Sequence, residues 1–288
     1  MTGIALREPS SIKPFSVKVA LLFAWDGASE RRFSAGVLFL GPIAVVLLLV
    51  ALVSTARLFA ISGDLPVFLS GLFGLASFVV LFPLWLGWPV SWLRLFLFDE
   101  PERPKPFKIG GAEFRFLLSS LFLHALGTLA VMPAAILGVV IVVVIQAFVP
   151  PEALRWLAPL VLSSVAISFY AYVIVRLSPS LALGLIRDRM LLTVSWPATK
   201  PIRAKMFQVW LIWAAAYLVM MMVGTFIIRL LGASVFSADL IGGVILLGGH
   251  VAMLVWALGI ISYTTLYLLD VNPELGADPA SYSAADAD

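Results

Sequence analysis

Apolar residues in this 288-residue chain come in six long blocks, near residues 36–60, 66–97, 115–149, 154–176, 206–231 and 237–269, with short polar stretches between them. A helix rises about 1.5 Å per residue and the hydrocarbon core of a bilayer is about 30 Å thick, so roughly 20 apolar residues suffice to cross it. Every block is long enough. The blocks are also continuous: Ala-Val-Val-Leu-Leu-Leu-Val-Ala-Leu-Val, from Ala44 to Val53, shows no alternation, whereas membrane-barrel strands are about 10 residues long and alternate apolar with polar. The pattern predicts an all-α, polytopic membrane protein, with about six transmembrane helices across residues 36–269 and amphipathic helices at the interface.

The second and third blocks exceed one straight crossing. Pro83, Pro89 and Pro133 are expected to kink them, or their ends to lie along the interface. Trp85, Trp88 and Trp92 favour the interfacial position for the end of the second block. Residues 1–35 form the expected N-terminal segment; within it, Phe15 to Gly27 is too short to span, carries Lys18 and Asp26, and reads as a helix lying in the interface. Asp99 to Lys108 mixes both signs of charge with prolines at 101, 104 and 106, the composition of an extended connector. Residues 270–288 hold five acids and no base and read as a disordered tail.

Charge then orients the spans. Of 19 lysines and arginines, 16 fall in the N-terminal segment, after the second block and after the fourth; only Arg57, Arg155 and Arg229 fall on the opposite side. By the positive-inside rule both termini are expected in the cytoplasm. The first apolar block begins only after Arg7, Lys13, Arg31 and Arg32, so it is expected to act as an insertion signal that is retained. A hydrophobic share of 62%, a charged share of 12% and a mean hydropathy of +1.07 agree with a bilayer as solvent. The absence of cysteine excludes disulfides, thiolate metal sites and thiol catalysis. A pI near 9.3 could suggest nucleic acid, but the basic residues flank membrane spans, where topology accounts for them; no nucleic-acid partner is expected.

The most distinctive polar stretch runs from Val175 to Pro201. Arg176 is expected at the membrane boundary, Ser178 and Ser180 as caps of a short helix starting at Pro179, and Arg187-Asp188-Arg189 as a polar turn. A second short helix through Met190, Leu191, Leu192 and Trp196 would complete an amphipathic elbow between two spans. From Arg176 to Lys205 there are six basic residues (Arg176, Arg187, Arg189, Lys200, Arg203, Lys205) and one acid, Asp188, a net charge of +5. These six are the candidate lipid-headgroup ligands, and membrane lipids, anionic ones included, are the expected partners.

In Arg176-Leu177-Ser178 and Ser195-Trp196 followed by Thr199-Lys200, the elbow resembles a bacterial group related to the membrane domain found beside some glycerophosphoryl diester phosphodiesterases. The run from Ile109 through Gly110, Gly111, Glu113 and Arg115 is similar too. Pro197 and Pro201 depart from that pattern. The resemblance implies an integral membrane module of the bacterial inner membrane. It carries no phosphodiesterase activity, which belongs to a separate soluble barrel domain with its own carboxylates and histidines.

Ionisable groups inside spans are the usual sign of transport or catalysis, because burying them in hydrocarbon is costly. His124 and His250 are the intramembrane candidates, for a proton path or a polar substrate. Their blander reading, a neutral imidazole hydrogen-bonded to a neighbouring helix, is preferred. Arg176 and Glu113 lie near helix ends, where snorkelling or an ion pair suffices. Gly242-Gly243, Gly248-Gly249 and Ser163-Ser164 suit close helix approach, and Phe169, Tyr170 and Tyr172 suit interhelical packing. No spacing supplies a nucleophile with its base or a metal-ligand set, so neither a catalytic site, a metal nor a cofactor is expected. The expected function is a non-catalytic membrane-embedded interaction or lipid-contacting module, with a membrane-protein partner possible; a transporter for a small or lipidic substrate is the alternative.

Overall fold

The computed structural model describes residues 14–41, 43–45, 86–98, 108–189, 191–230 and 235–275. Among these the chain is helical and contains no strand. In chain order we label α1 (Val17–Glu30), α2 (Arg32–Val45), α3 (86–97), α4 (Gly111–Gln146), α5 (Pro151–Leu177), α6 (Pro179–Arg187), α7 (Leu192–Ala198), α8 (Arg203–Leu230) and α9 (Val235–Val271). Four stretches are long and apolar enough to cross a membrane: Gly111–Gln146, Pro151–Arg187, Lys200–Ile227 and Leu247–Val271. They match the last four apolar blocks. Most of the first two blocks, the connector from 99 to 107, Trp85 and the tail beyond 275 lie outside the described residues. Pro133 sits within α4 without ending it.

The chain divides into two units, residues 1–114 with 208–288, and residues 115–207. In the first, α1 is seated on α9. Ser16 caps α1, its Oγ accepting from the Val19 N–H at 3.4 Å. Ala20, Ala24 and Gly27, spaced to share one face, are buried. Gly259 of α9 lies under that face: a Cβ there would stand 2.7 Å from the Ala24 Cα, closer than any side chain tolerates. Trp256 Nε1 donates to Leu21 O at 2.7 Å, and the Ser16 N–H donates to the Tyr263 hydroxyl at 3.2 Å. The short helix expected over Phe15 to Gly27 thus starts two residues later and runs three further, and it has one face committed to protein.

Tryptophans join the other helices of this unit. Trp88 Nε1 donates to Leu38 O of α2 at 2.7 Å, and Trp213 Nε1 of α8 donates to Met253 O of α9 at 2.9 Å. A helical carbonyl has a second lone pair, so an indole can bind it without breaking the helix. Trp88 and Trp92 are 7% and 1% exposed, in a ring series that continues through Phe96 and Phe23 to Tyr263. This corrects their reading as interfacial anchors. Their rings fill interhelical space, and an anchor would leave them open to headgroups.

In the second unit α4 and α5 form a hairpin. Gly127 makes room for Tyr170, whose ring carbon would lie 2.8 Å from a Cβ at that position, and Gly138 does the same for Leu162. The α5 helix carries Trp156, 83% exposed, near its start and Arg176 in its last turn. The 20 residue steps from Trp156 to Arg176 rise about 30 Å, the thickness of a hydrocarbon core.

Candidate functional site

The chain bends sharply after α5. Pro179 begins α6 and has no N–H to give to Val175 O, its partner four residues back in a continuous helix. Ser178 Oγ takes that role, donating to Val175 O at 3.1 Å, and Ser180 Oγ donates to Leu177 O at 2.6 Å. The expected short helix at Pro179 is therefore present, but the serines do not cap it. Ser178 is itself helical (φ −55°, ψ −34°), so its hydroxyl turns back toward α5 carbonyls and is not offered to α6 N–H groups. At the other end of α6, Asp188 takes a left-handed conformation (φ 57°, ψ 25°), which reverses the chain into α7. Its carboxylate pairs with Arg115 of α4.

Arg176 ties α5 to α7 through both its backbone and its side chain. Its carbonyl accepts from Ser195 Oγ at 2.9 Å. Its Nε donates to Thr199 Oγ1 at 3.3 Å, one Nη to the Tyr172 hydroxyl at 3.3 Å, and the other Nη to Trp196 O. The Trp196 ring lies over the guanidinium, 3.9 Å from Cζ to the ring centroid. Arg176 is 5% exposed, and among the described residues no carboxylate pairs with it.

A buried arginine without an acid requires other compensation. It sits in the last turn of α5 and binds a carbonyl near the end of α7, so the negative ends of two helix dipoles face it. The indole face adds about 1 to 2 kcal/mol of cation–π attraction for a desolvated cation. The snorkelling expected of Arg176 is not observed, because these neutral acceptors hold it inside.

The remaining basic candidates point elsewhere. Arg189, Lys200, Arg203 and Lys205 are exposed and Arg187 is half-buried. Among them stand two exposed aromatics, Trp196 (38%) and Phe207 (41%). The elbow therefore presents cations and aromatic rings on its outside, fastened from within by Arg176, Ser195 and Thr199. That pairing of side chains suits a headgroup boundary, where rings sit at the acyl margin and cations meet phosphate.

The histidines are not brought together; each joins a pair of helices in its own unit. His124 Nδ1 is 2.5 Å from the Tyr170 hydroxyl, with the two rings stacked at 15°. His250 Nδ1 is 3.0 Å from the Tyr217 hydroxyl, with the rings edge to face. Each is thus hydrogen-bonded to a neighbouring helix. Glu113, 1% exposed, has one carboxylate oxygen 3.5 Å from Arg94 and the other buried without a hydrogen bond. Among the described residues no three His, Asp or Glu side chains gather at metal-binding spacing.

Residue reasoning passed over Gly259, Gly127 and the donor role of Trp256. A signal for the first was present: Ala20, Ala24 and Gly27 form a small-residue face on a short helix, which requires an equally small counterpart. Searches against protein-family models, characterised proteins and solved structures find no match to this chain.

Proposed function

We propose that this chain is a non-catalytic, multi-pass protein of the bacterial inner membrane, with about six spans and both termini in the cytoplasm, and that it serves as a membrane-embedded interaction or lipid-contacting module. Its elbow gathers anionic phospholipid. The observation that carries this reading is the exposed set of Arg189, Lys200, Arg203 and Lys205 around Trp196 and Phe207. Each basic side chain near an anionic surface contributes about 1 kcal/mol, so four of them enrich such lipid measurably. The resemblance to the membrane domain of the phosphodiesterase group belongs to the same proposal. Contacts among Arg176, Ser195, Trp196 and Thr199 supply a physical reason for those residues to occur together.

The triple variant Arg187→Gln, Arg189→Gln, Lys200→Gln leaves Arg176, Arg203 and Lys205 to hold orientation. Mass spectrometry of phospholipid copurified with it should show a severalfold loss of phosphatidylglycerol and cardiolipin relative to phosphatidylethanolamine. Unchanged retention in a correctly inserted variant defeats the proposal. Insertion is checked on the cysteine-free chain with single cysteines at Glu152 and Asp278: an impermeant reagent should label the first in intact cells and not the second.

A further inference from the structure

The turn between α1 and α2 shares its construction with the elbow but differs in charge. At Arg31 the chain breaks from α1 into α2, and the Arg31 guanidinium turns inward to donate to Leu95 O, in the last turn of α3. Arg176 does the same for Trp196 O of α7. Beside each inward arginine stand exposed aromatics: Trp25 and Phe33 at the first corner, 75% and 86% exposed, and Trp196 and Phe207 at the elbow.

We infer that the α1–α2 corner is a second bilayer-contact site, which inserts Trp25 and Phe33 at the headgroup–acyl boundary and does not select for lipid charge. Continuity identifies the occupant. Phe33, Val37 and Leu40 are exposed at helical spacing along one face of α2, and α2 continues in sequence into the first apolar block, which is long enough to cross a bilayer. Trp25 lies on the outward side of α1, opposite the Ala20–Ala24–Gly27 face held by α9. The exposed charges of the corner, Lys18 and Arg32 against Asp26 and Glu30, sum to zero. Contact there rests on apolar burial and on the preference of aromatic rings for the interface, in contrast to the elbow, where the exposed charges, Arg189, Lys200, Arg203 and Lys205 against Asp188, sum to +3. The corner does not depend on the elbow reading.

The cysteine-free chain allows a direct test. Trp25→Cys and Phe33→Cys, each carrying a nitroxide, are reconstituted into vesicles of phosphatidylcholine alone and of phosphatidylcholine mixed with phosphatidylglycerol. Collision of each label with oxygen is compared with collision with a water-soluble nickel chelate. Oxygen should dominate at both positions, to the same degree in both lipids. Dominance of nickel would place the corner in solvent, and low collision with both reagents would mean that protein covers it. Either result overturns the inference, as does oxygen dominance that appears only with phosphatidylglycerol. If Trp25→Cys fails to insert, Leu22→Cys and Leu40→Cys report on the same faces. These labels do not read phosphatidylglycerol retention at the elbow, so either proposal can fail while the other stands.

Discussion

Leu247–Val271 of α9 and the apolar windows of α4, α5 and α8 are all suited to a membrane by length and composition, yet 78% of the α9 window is buried and only 6–11% of the others. Hydrophobicity cannot distinguish them, because in lipid one apolar surface is as good a neighbour as another. What α9 has is low volume and self-contained polarity. Gly259 admits the α1 backbone, while Ser262, Thr264 and Thr265 return their hydroxyls to carbonyls four residues back, at 2.8–2.9 Å. Small residues let partners approach, and hydroxyls already satisfied within the helix can be buried against them. In α4 and α5, Leu121, Phe122, Ile136, Val143, Leu160 and Ile167 stand outward, more than half exposed; bulk at these positions suits lipid chains.

The sharpest way to break this contrast is to enlarge the α9 glycine that faces the α1 backbone. Gly259→Leu drives a side chain into the Ala24 backbone. Overpacking of this kind costs about 3 kcal/mol, because backbone cannot move aside as a flexible side chain can. We expect the largest fall in thermal midpoint in detergent of any variant described, and a nitroxide at Leu22 that gains mobility as α1 lifts. Gly138→Leu, which meets the Leu162 side chain in the exposed hairpin, should do much less. Equal effects would mean that burial along α9 does not come from the glycine contact.

Arg176 gives the second test, of whether the elbow is fastened by geometry or by charge. Arg176→Met removes the donors that hold Trp196 O, Thr199 Oγ1 and the Tyr172 hydroxyl, and hydrogen bonds from a charged group contribute about 2 kcal/mol. Arg176→Lys keeps the charge but cannot reach three acceptors from one planar fork. Limited trypsin digestion at Arg187, Arg189 and Arg203 should be faster in both variants. Wild-type resistance in Arg176→Lys would show that a positive charge at the end of α5 suffices and that the fork geometry is incidental.

The sequence announces the features that depend on a single period or sign, and conceals those that depend on a meeting of two helices. Apolar blocks of fixed length are local, so the four helices long and apolar enough to cross a membrane are readable without coordinates. Pro179 likewise marks the start of α6, because a missing N–H is a local fact. The inward direction of Arg176 was not readable. Its position at a span boundary satisfies the positive-inside rule whether it faces lipid or protein, and only the return of α7, 20 residues later, brings Trp196 O and Thr199 within reach. For the same reason Trp88 resembles an interfacial anchor: an indole suits both the headgroup region and a carbonyl on a neighbouring helix, and Leu38 O of α2 decides between them. Residue type marks the histidines as polar groups in need of a partner, but not Tyr170 or Tyr217 as the partners.

Those two pairs offer the finest comparison, since the same chemical contact occurs once in each unit. His124 with Tyr170 joins α4 to α5 and has exposed neighbours; His250 with Tyr217 joins α9 to α8, beside Gly249 and the Met220 side chain that occupies its open side. Interhelical hydrogen bonds in membrane proteins average about 0.6 kcal/mol, because the partners find other contacts when separated. Double-mutant cycles with His124→Ala and Tyr170→Phe, and with His250→Ala and Tyr217→Phe, should each return a coupling near that value from unfolding in detergent. Function in cells should survive all four single changes at normal abundance. Equal couplings would show that the hydrogen bond acts independently of the packing around it. A larger coupling at His250 would mean that the Gly249–Met220 contact beside it strengthens the bond. Selective loss of function without loss of stability at either histidine would instead assign it a role in moving a proton or a polar substrate, and the transporter reading would replace the one proposed.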